Sequence, residues 1–192
     1  MAVDPWLHRW LPLLVARAGG QPVLEIGCGT GEDTATLHRA GLQILAFDLS
    51  REAVSSARAR VPDATIECRD MRESFPAGAR NLGVVVASLS LHYFPWVETV
   101  AIVSRIRDVL RPDGLLACRL NATDDHNHGA SGYPQIEPGL YSVRGQQKRF
   151  FDEDSVLALF ASGWRRVSVE HQIIHKYILA KAVWEVILEK DG

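Results

Sequence analysis

Short apolar runs alternate along the chain with longer stretches in which apolar residues recur every three or four positions. Runs of four to eight residues are typical of strands, and the longer spacing is typical of helices that bury one face. Alternation of the two patterns predicts βα units and a mostly parallel sheet with helices on both faces. The predicted strands span 23–26, 44–47, 65–68, 82–88, 115–120, 166–170 and 182–189.

Helices are predicted before and between these strands. Asp4 is placed to cap an N-terminal helix that Pro12 kinks or restarts and that Gly19 ends. Trp6 and Trp10 fall near one face of this helix, where we expect them to cover the core. Further helices are predicted at 34–39, 51–60, 95–110 and 153–161, the third with Val97, Val100, Val103 and Ile106 facing inward.

Length and composition indicate one globular domain over 1–192, with 47 % apolar and 23 % charged residues. The net charge of -2 gives no electrostatic reason to bind nucleic acid or an anionic membrane. Cys28, Cys68 and Cys118 are far apart and each falls in or beside a predicted buried strand, so neither a disulfide framework nor a zinc site is indicated. With no signal peptide or transmembrane run recognised, we expect a cytoplasmic protein.

The most informative stretch follows the first predicted strand, where glycines occupy alternate positions 27, 29 and 31 before a helix. Glycines in such a turn allow positive φ angles and the close approach of a ligand. A dinucleotide fingerprint needs its third glycine one position later, where this chain has Glu32. Glu32 and Asp33 would repel a pyrophosphate at the helix N-terminus but not a cationic cofactor, although the two acids are equally compatible with simple helix capping.

The pattern Glu25-x-Gly27-x-Gly29-x-Gly31 resembles motif I of the class I S-adenosylmethionine-dependent methyltransferases. The resemblance covers about residues 20 to 120. It implies a Rossmann-like, doubly wound sheet of seven strands in the order 3-2-1-4-5-7-6, with strand 7 antiparallel, and S-adenosylmethionine as cofactor. In motif I it implies cofactor contacts from Glu25, Gly27, Cys28, Gly29 and Gly31.

Acids at the ends of the next two strands extend the resemblance. Asp48 lies about 20 residues beyond the Gly-rich turn, where a carboxylate accepts hydrogen bonds from both ribose hydroxyls; the alternative is that it only caps the following turn. The resemblance places Leu49 against the adenine. It also implies that Asp70 accepts from the adenine amino group and that the backbone of Met71 donates to the ring.

The fourth strand ends in Ser88-Leu89-Ser90-Leu91-His92-Tyr93. Ligands of open α/β sheets bind outside the carboxyl ends of the strands, so this segment is expected beside the transferable methyl group. We predict cofactor contacts from Ser88 and Leu89 and catalytic roles for His92 and Tyr93. His92 is the candidate general base or orienting group; the alternative is that it only packs the pocket wall, and a thiolate or chalcogen acceptor would need no base.

The stretch 121–149 has no regular pattern and is predicted to be a substrate-covering loop. His126 and His128 stand there beside two aspartates, but such a cluster is more typical of a polar loop than of a metal site, so no metal is predicted. Farther on, residues 150–164 faintly resemble the tellurite-resistance branch of small methyltransferases.

Together these features predict methyl transfer to a small-molecule nucleophile by in-line attack on the sulfonium methyl, by a monomer or homodimer. Two alternatives stay open: a methyltransferase acting on protein or RNA with a partner, and a non-catalytic module that binds S-adenosylmethionine.

Overall fold

The computed structural model describes residues 5–192, so the predicted cap at Asp4 lies outside the described residues. Ten strands and five α-helices are assigned in this range. In chain order they are α1 (Leu11–Ala18), β1 (Val23–Ile26), α2 (Glu32–Arg39), β2 (Ile44–Asp48), α3 (Arg51–Arg60), β3 (Thr65–Cys68), β4 (Leu82–Ser88), α4 (Trp96–Val109), β5 (Leu110–Asn121), β6 (Gln135–Glu137), β7 (Leu140–Val143), β8 (Gln146–Arg149), α5 (Glu153–Leu159), β9 (Trp164–Ile174) and β10 (Lys181–Lys190).

Seven of the strands form one sheet in the order β3-β2-β1-β4-β5-β10-β9. β10 runs antiparallel to both of its neighbours, and the pairs from β3 to β5 are parallel. With β9 and β10 as the sixth and seventh strands of the main sheet, the predicted topology is confirmed. The carboxyl ends of the five parallel strands therefore meet at one edge.

The central strand β4 is covered on both faces, as its continuous apolar run predicts. Val85 and Ala87 point into one core, which α4 and α5 complete, and Val84 and Val86 point into the other, which α1, α2 and α3 complete. This double layer fixes the sheet while its carboxyl edge stays available for a ligand.

Two predictions about side-chain burial are wrong. The buried face of α4 carries Thr99, Ile102, Val103 and Ile106, whereas Val97 is 79 % exposed and Val100 is 40 % exposed. The apolar positions of this helix allow two overlapping stripes, and packing against the sheet selects the one that contains Ile102. Cys68 is exposed because it ends the edge strand β3, although Cys28 and Cys118 are buried as expected.

The stretch expected to be irregular holds a second sheet, in the order β6-β7-β8. Arg144 and Gly145 join β7 to β8 with φ angles of 51° and 82°, as a tight two-residue hairpin turn requires. The prediction of an unstructured loop was wrong because these strands are three or four residues long and largely polar, so they lack an apolar period.

Other boundaries shift by several residues. α1 begins at Leu11, so Pro12 lies in its first turn and restarts the helix, and Gly19 ends it with φ 57°. β9 and β10 are longer than predicted and continue as a hairpin whose tip spans 175–180. Within residues 5–192, no helix combines the length and the apolar character needed to cross a membrane.

Candidate active site

A cavity of about 1010 Å³ opens at the carboxyl edge of the main sheet. The ends of β1, β2, β3, β4 and β5 form its floor, and the turn after β4, the start of β8 and the β9–β10 tip form its walls. Among the predicted site residues, the lining includes Glu25, Gly27, Cys28, Gly29, Asp48, Leu49, Asp70, Met71, Ser88, Leu89 and Tyr93.

Two predicted site residues do not line the cavity. Gly31 packs against α3, where an added Cβ would lie 3.0 Å from Ala57. His92 is only 3 % exposed and lies behind the wall, with its ring centroid 4.2 Å from that of Tyr93. The structure therefore corrects the expected placement of both residues, and any catalytic role of His92 has to act from behind Tyr93.

The first two glycines of the turn have different structural roles. Gly27 has a φ of 73°, and a Cβ there would lie 2.4 Å from the Cβ of Ser90, so the β4 turn packs directly on its backbone. Gly29 has a φ of 52°, and a Cβ there would meet no protein atom within 4 Å. The backbone at Gly29 is thus open to a ligand in the cavity.

Glu25 lies at the end of β1 beneath this turn and is buried. The Thr34 hydroxyl donates a hydrogen bond to its carboxylate at 2.6 Å. Burial, reinforced by the nearby negative charges of Asp33 and Asp48, raises the pKa of Glu25 to about 8. A cation entering the cavity would favour the ionised form of this carboxyl group. Burial likewise raises the pKa of Cys28 to about 12, so its thiol is neutral at pH 7.

Asp48 joins the second strand to the Gly-rich turn. One carboxylate oxygen accepts from the Gly29 backbone N–H at 2.9 Å and the other accepts from the Ser50 N–H at 2.9 Å. Each oxygen keeps a lone pair for a further donor. The capping alternative is therefore observed, and it is compatible with contact to a ribose. Leu49 beside it is 69 % exposed at the rim.

Asp70 lines the cavity at the end of β3 and pairs with Arg72, whose guanidinium nitrogen lies 2.5 Å from the carboxylate. These hydrogen bonds lower the pKa of Asp70 and keep it ionised. Met71 also lines the cavity. Because Arg72 uses both Asp70 oxygens, an adenine amino group would have to share this acceptor or displace Arg72.

Three polar atoms in the described part of the chain are buried without a hydrogen-bond partner: Ser90 Oγ, His92 Nδ1 and Asn121 Oδ1. Ser90 lines the cavity, and leaving its hydroxyl unpaired is costly unless a ligand or water fills the place. Burial, with the positive charges of Lys181 and Lys148, lowers the pKa of His92 well below its ordinary value, so its ring is neutral at pH 7.

Several lining residues were not predicted, among them Arg119, Gln146, Gln147, Lys176 and Tyr177. Arg119 is 1 % exposed; its Nε donates to Ser88 Oγ at 3.0 Å and its guanidinium lies 4.5 Å above the centre of the Trp6 ring. In the sequence, a lone arginine inside the otherwise apolar fifth strand is the feature that could have marked Arg119 as a site residue. No sequence pattern marks the residues of β8 and the hairpin tip.

The His126–His128 segment forms a short 3₁₀ turn. His128 Nδ1 lies 2.8 Å from an oxygen of Asp125, and Lys181 binds the other oxygen of this buried carboxylate at 2.6 Å. Within residues 5–192 no group of three or more His, Cys, Asp or Glu side chains is arranged to hold a metal ion. Asp125 instead ties the chain after β5 to the start of β10.

A sequence model of the methyltransferase domain family matches residues 23–114, the segment that runs from β1 to the start of β5. The chain contains a class I S-adenosylmethionine-dependent methyltransferase domain. This domain includes the Gly-rich turn, Asp48, Asp70 and the end of β4, and so the predicted resemblance is confirmed.

The chain is 32 % identical over 103 residues to an uncharacterized methyltransferase of Synechocystis, and the match covers 54 % of this chain and 48 % of that protein. The chain spans about half the length of the curated relatives it matches. A solved S-adenosylmethionine-dependent methyltransferase from Methanosarcina mazei has the same fold, with a TM-score of 0.79 at 17 % identity over 94 % of this chain and 97 % of that one.

The fold is also shared by the magnesium protoporphyrin IX methyltransferase of Synechocystis, which was solved with S-adenosylmethionine bound. The TM-score is 0.66 at 14 % identity, with 97 % of this chain and 78 % of that one covered.

Proposed function

We propose that the chain transfers the methyl group of S-adenosylmethionine to a small-molecule nucleophile. The observation that carries this proposal is one continuous cavity of about 1010 Å³ that reaches from the Gly-rich turn to Tyr93 and Tyr177. This volume is at the upper end of the range of about 300–1,000 Å³ for ligand pockets, so an acceptor has room beside a cofactor.

The residues of the cavity suit this cofactor. Gly29 leaves open space beside its backbone, and Asp48 keeps acceptor capacity for ribose hydroxyls. The charges of Asp33 and Asp48 give this end of the cavity a negative character that favours a cation, and a bound cation would in turn favour the ionised form of Glu25. When bound, S-adenosylmethionine supplies a methyl group activated by a sulfonium.

The walls favour a small acceptor. Gln146 and Gln147 at the start of β8 and Lys176 and Tyr177 at the β9–β10 tip stand around the opening. A folded macromolecule would need an open groove in this place. The net charge of -2 also gives no field that would attract a nucleic acid.

In an in-line transfer the chain has to align the acceptor with the methyl group. Such alignment lowers the activation barrier by on the order of 7–11 kcal/mol in well-oriented reactions. Tyr93 is 42 % exposed and is the predicted catalytic residue that faces the cavity. Burial raises the pKa of its phenol, with Tyr177 and Asp48 adding to the shift, so the hydroxyl stays protonated and can orient an acceptor. His92 behind it holds the Tyr93 ring from the buried side.

The test is methyl transfer from labelled S-adenosylmethionine to a metabolite extract, with protein and RNA fractions assayed in parallel. Label in the small-molecule fraction supports the proposal, and label confined to protein or RNA contradicts the small acceptor. Asp48→Ala is expected to weaken cofactor binding by about 1–3 kcal/mol, because it strands hydrogen-bond donors. Asp63→Ala, on a side chain that is 85 % exposed, is the matched control.

A further inference from the structure

The tip of the β9–β10 hairpin folds back over the Gly-rich turn. β9 ends at Ile174 and β10 begins at Lys181, and the segment between them carries Lys176. The Lys176 ammonium lies 2.6 Å from a carboxylate oxygen of Glu32, in the first turn of α2. Residues about 140 positions apart in the chain thus meet at one end of the cavity.

This contact is sheltered. The Lys176 side chain is only 19 % exposed, and Lys176, Glu32 and Asp33 all line the cavity. Burial alone would lower the pKa of Lys176, but Glu32 and Asp33 more than offset it, so the ammonium stays charged. Asp33 in turn accepts from the Trp6 indole N–H at 3.0 Å. The Lys176 ammonium therefore stands close to two carboxylates at this end of the cavity.

The other positive side chains of the lining come from other elements. Arg69 pairs with Glu67 and Arg72 pairs with Asp70, at the end of β3 and after it. Arg119 reaches from β5 to Ser88 and to the Trp6 ring, whose indole N–H binds Asp33. Lys176 is thus the lining cation that the hairpin tip brings to Glu32.

The methionyl end of S-adenosylmethionine carries an ammonium and a carboxylate. Acids at the first turn of α2 suit the ammonium, but they would repel the carboxylate unless a cation stands beside them. We propose that Lys176 binds the carboxylate of the methionyl end, so that the hairpin tip closes on the cofactor through a direct charge-assisted contact. This inference rests on the proposed function, which supplies the cofactor.

The proposal makes Lys176 a specificity-determining residue for one chemical group. A residue that only fastened the hairpin to α2 would affect every ligand of the cavity alike. A residue that binds the carboxylate affects only ligands that carry it. The two roles are separated by a cofactor analogue that lacks this one group.

The experiment measures the Kd of S-adenosylmethionine and of decarboxylated S-adenosylmethionine by calorimetry for the intact chain and for Lys176→Met. We expect the substitution to raise the Kd of S-adenosylmethionine by about 10- to 100-fold, as for a lost charge-assisted hydrogen bond. The Kd of the decarboxylated analogue should change by less than about twofold. Lys176→Arg should restore most of the affinity. Lys190→Met, at the far end of β10, is the matched control and should behave as the intact chain.

An equal loss of affinity for both ligands would show that Lys176 only fastens the hairpin to α2, and this would overturn the proposal. Unchanged affinity for both ligands would also overturn it. An intact chain that binds neither ligand would refute the proposed function and this inference with it. If Lys176→Met and the intact chain have the same midpoint of thermal unfolding, a loss of affinity in the variant does not come from a loss of folding.

Discussion

The Glu137 carboxylate accepts a hydrogen bond from the Trp96 backbone N–H at 2.6 Å, joining the small sheet to the first residue of α4. Pro95 precedes this helix and supplies no side-chain cap, so Glu137 caps it from 41 residues away. The same carboxylate pairs with Arg149, which is 3 % exposed and also donates to the carbonyls of Phe94 and Pro138. The small sheet is therefore a fixed wall of the cavity.

Glu137→Ala is expected to lower the free energy of unfolding by about 2–4 kcal/mol. The change removes a helix cap, which contributes about 1 kcal/mol, and leaves the Arg149 guanidinium buried without its carboxylate. Denaturant unfolding measures the loss. Glu52→Gln, an exposed acid in the first turn of α3, is the control and should change stability by less than about 1 kcal/mol. A Glu137 variant as stable as the control would show that the wall does not depend on this contact.

A pH dependence of stability is expected from Glu25. Its pKa is about 8 in the fold against an ordinary 4.5, so between these values the folded chain holds a proton that the unfolded chain has lost. The contribution of Glu25 to stability is therefore full below about pH 4.5 and is lost as the pH rises through about 8. From pH 5.5 to 8.5 the loss should be roughly 3 kcal/mol.

Glu25→Gln keeps the shape, mimics the neutral acid and should remove this part of the pH dependence. Urea unfolding at the two pH values, for the intact chain, Glu25→Gln and the exposed control Asp63→Asn, measures it. Identical pH slopes in the intact chain and Glu25→Gln would show that Glu25 has an ordinary pKa.

The two glycines that face the cavity are expected to respond differently to alanine. Gly27→Ala should cost about 2–4 kcal/mol of stability, because its Cβ would overlap Ser90 on a backbone of positive φ. Gly29→Ala should cost only about 1 kcal/mol, since no protein atom is near, but should weaken cofactor binding because the methyl group projects into open space at the cavity.

Gly41→Ala is the matched control for Gly29. Gly41 also has a positive φ, of 83°, and open space around it, but it follows α2 away from the cavity. It should lose similar stability and keep its cofactor affinity. Equal affinities in Gly29→Ala and Gly41→Ala, measured by calorimetry, would exclude a cofactor from the space beside Gly29.

His92 and Tyr93 are tested by turnover rather than by binding. His92→Ala and Tyr93→Phe should each lower kcat while leaving the Kd of S-adenosylmethionine within about threefold, because in the proposed function Tyr93 orients the acceptor and His92 supports the Tyr93 ring. The His92 role as a base stays a prediction. Wild-type turnover in a folded His92→Ala variant would remove His92 from the mechanism, and a bell-shaped pH profile unchanged in that variant would exclude it as the titrating base.

Much of the fold follows from local pattern. The strand–glycine–helix unit at β1 and the apolar β4 set the parallel core, and each predicted strand of the main sheet has an observed counterpart. The polar strands β6 to β8 were missed because their stability comes from tertiary contacts such as Glu137 with Trp96 and Arg149, which no local period encodes.

The residues of the site also divide into those that local pattern predicts and those that only tertiary contacts place. Residues at or just after strand ends, such as Asp48 and Asp70, were expected at the cavity because the fold brings the carboxyl ends of the five parallel strands to one edge. Lys176 was missed because its position depends on how far the β9–β10 hairpin extends past the sheet. His92 was misplaced because the rings of two adjacent residues after β4 contact each other, and only the structure shows that Tyr93 lines the cavity while His92 is buried behind it.

The family match ends at residue 114, yet Arg119, Gln147 and Lys176 lie beyond it and line the cavity. A chimera that keeps 23–114 and takes its C-terminal part from a relative would therefore keep the Gly-rich turn while exchanging these three side chains of the lining. In such a chain the exchanged walls would have to come with matching residues of β5, α5 and β10, which complete the core, and a truncation at 114 would remove these residues together with the walls.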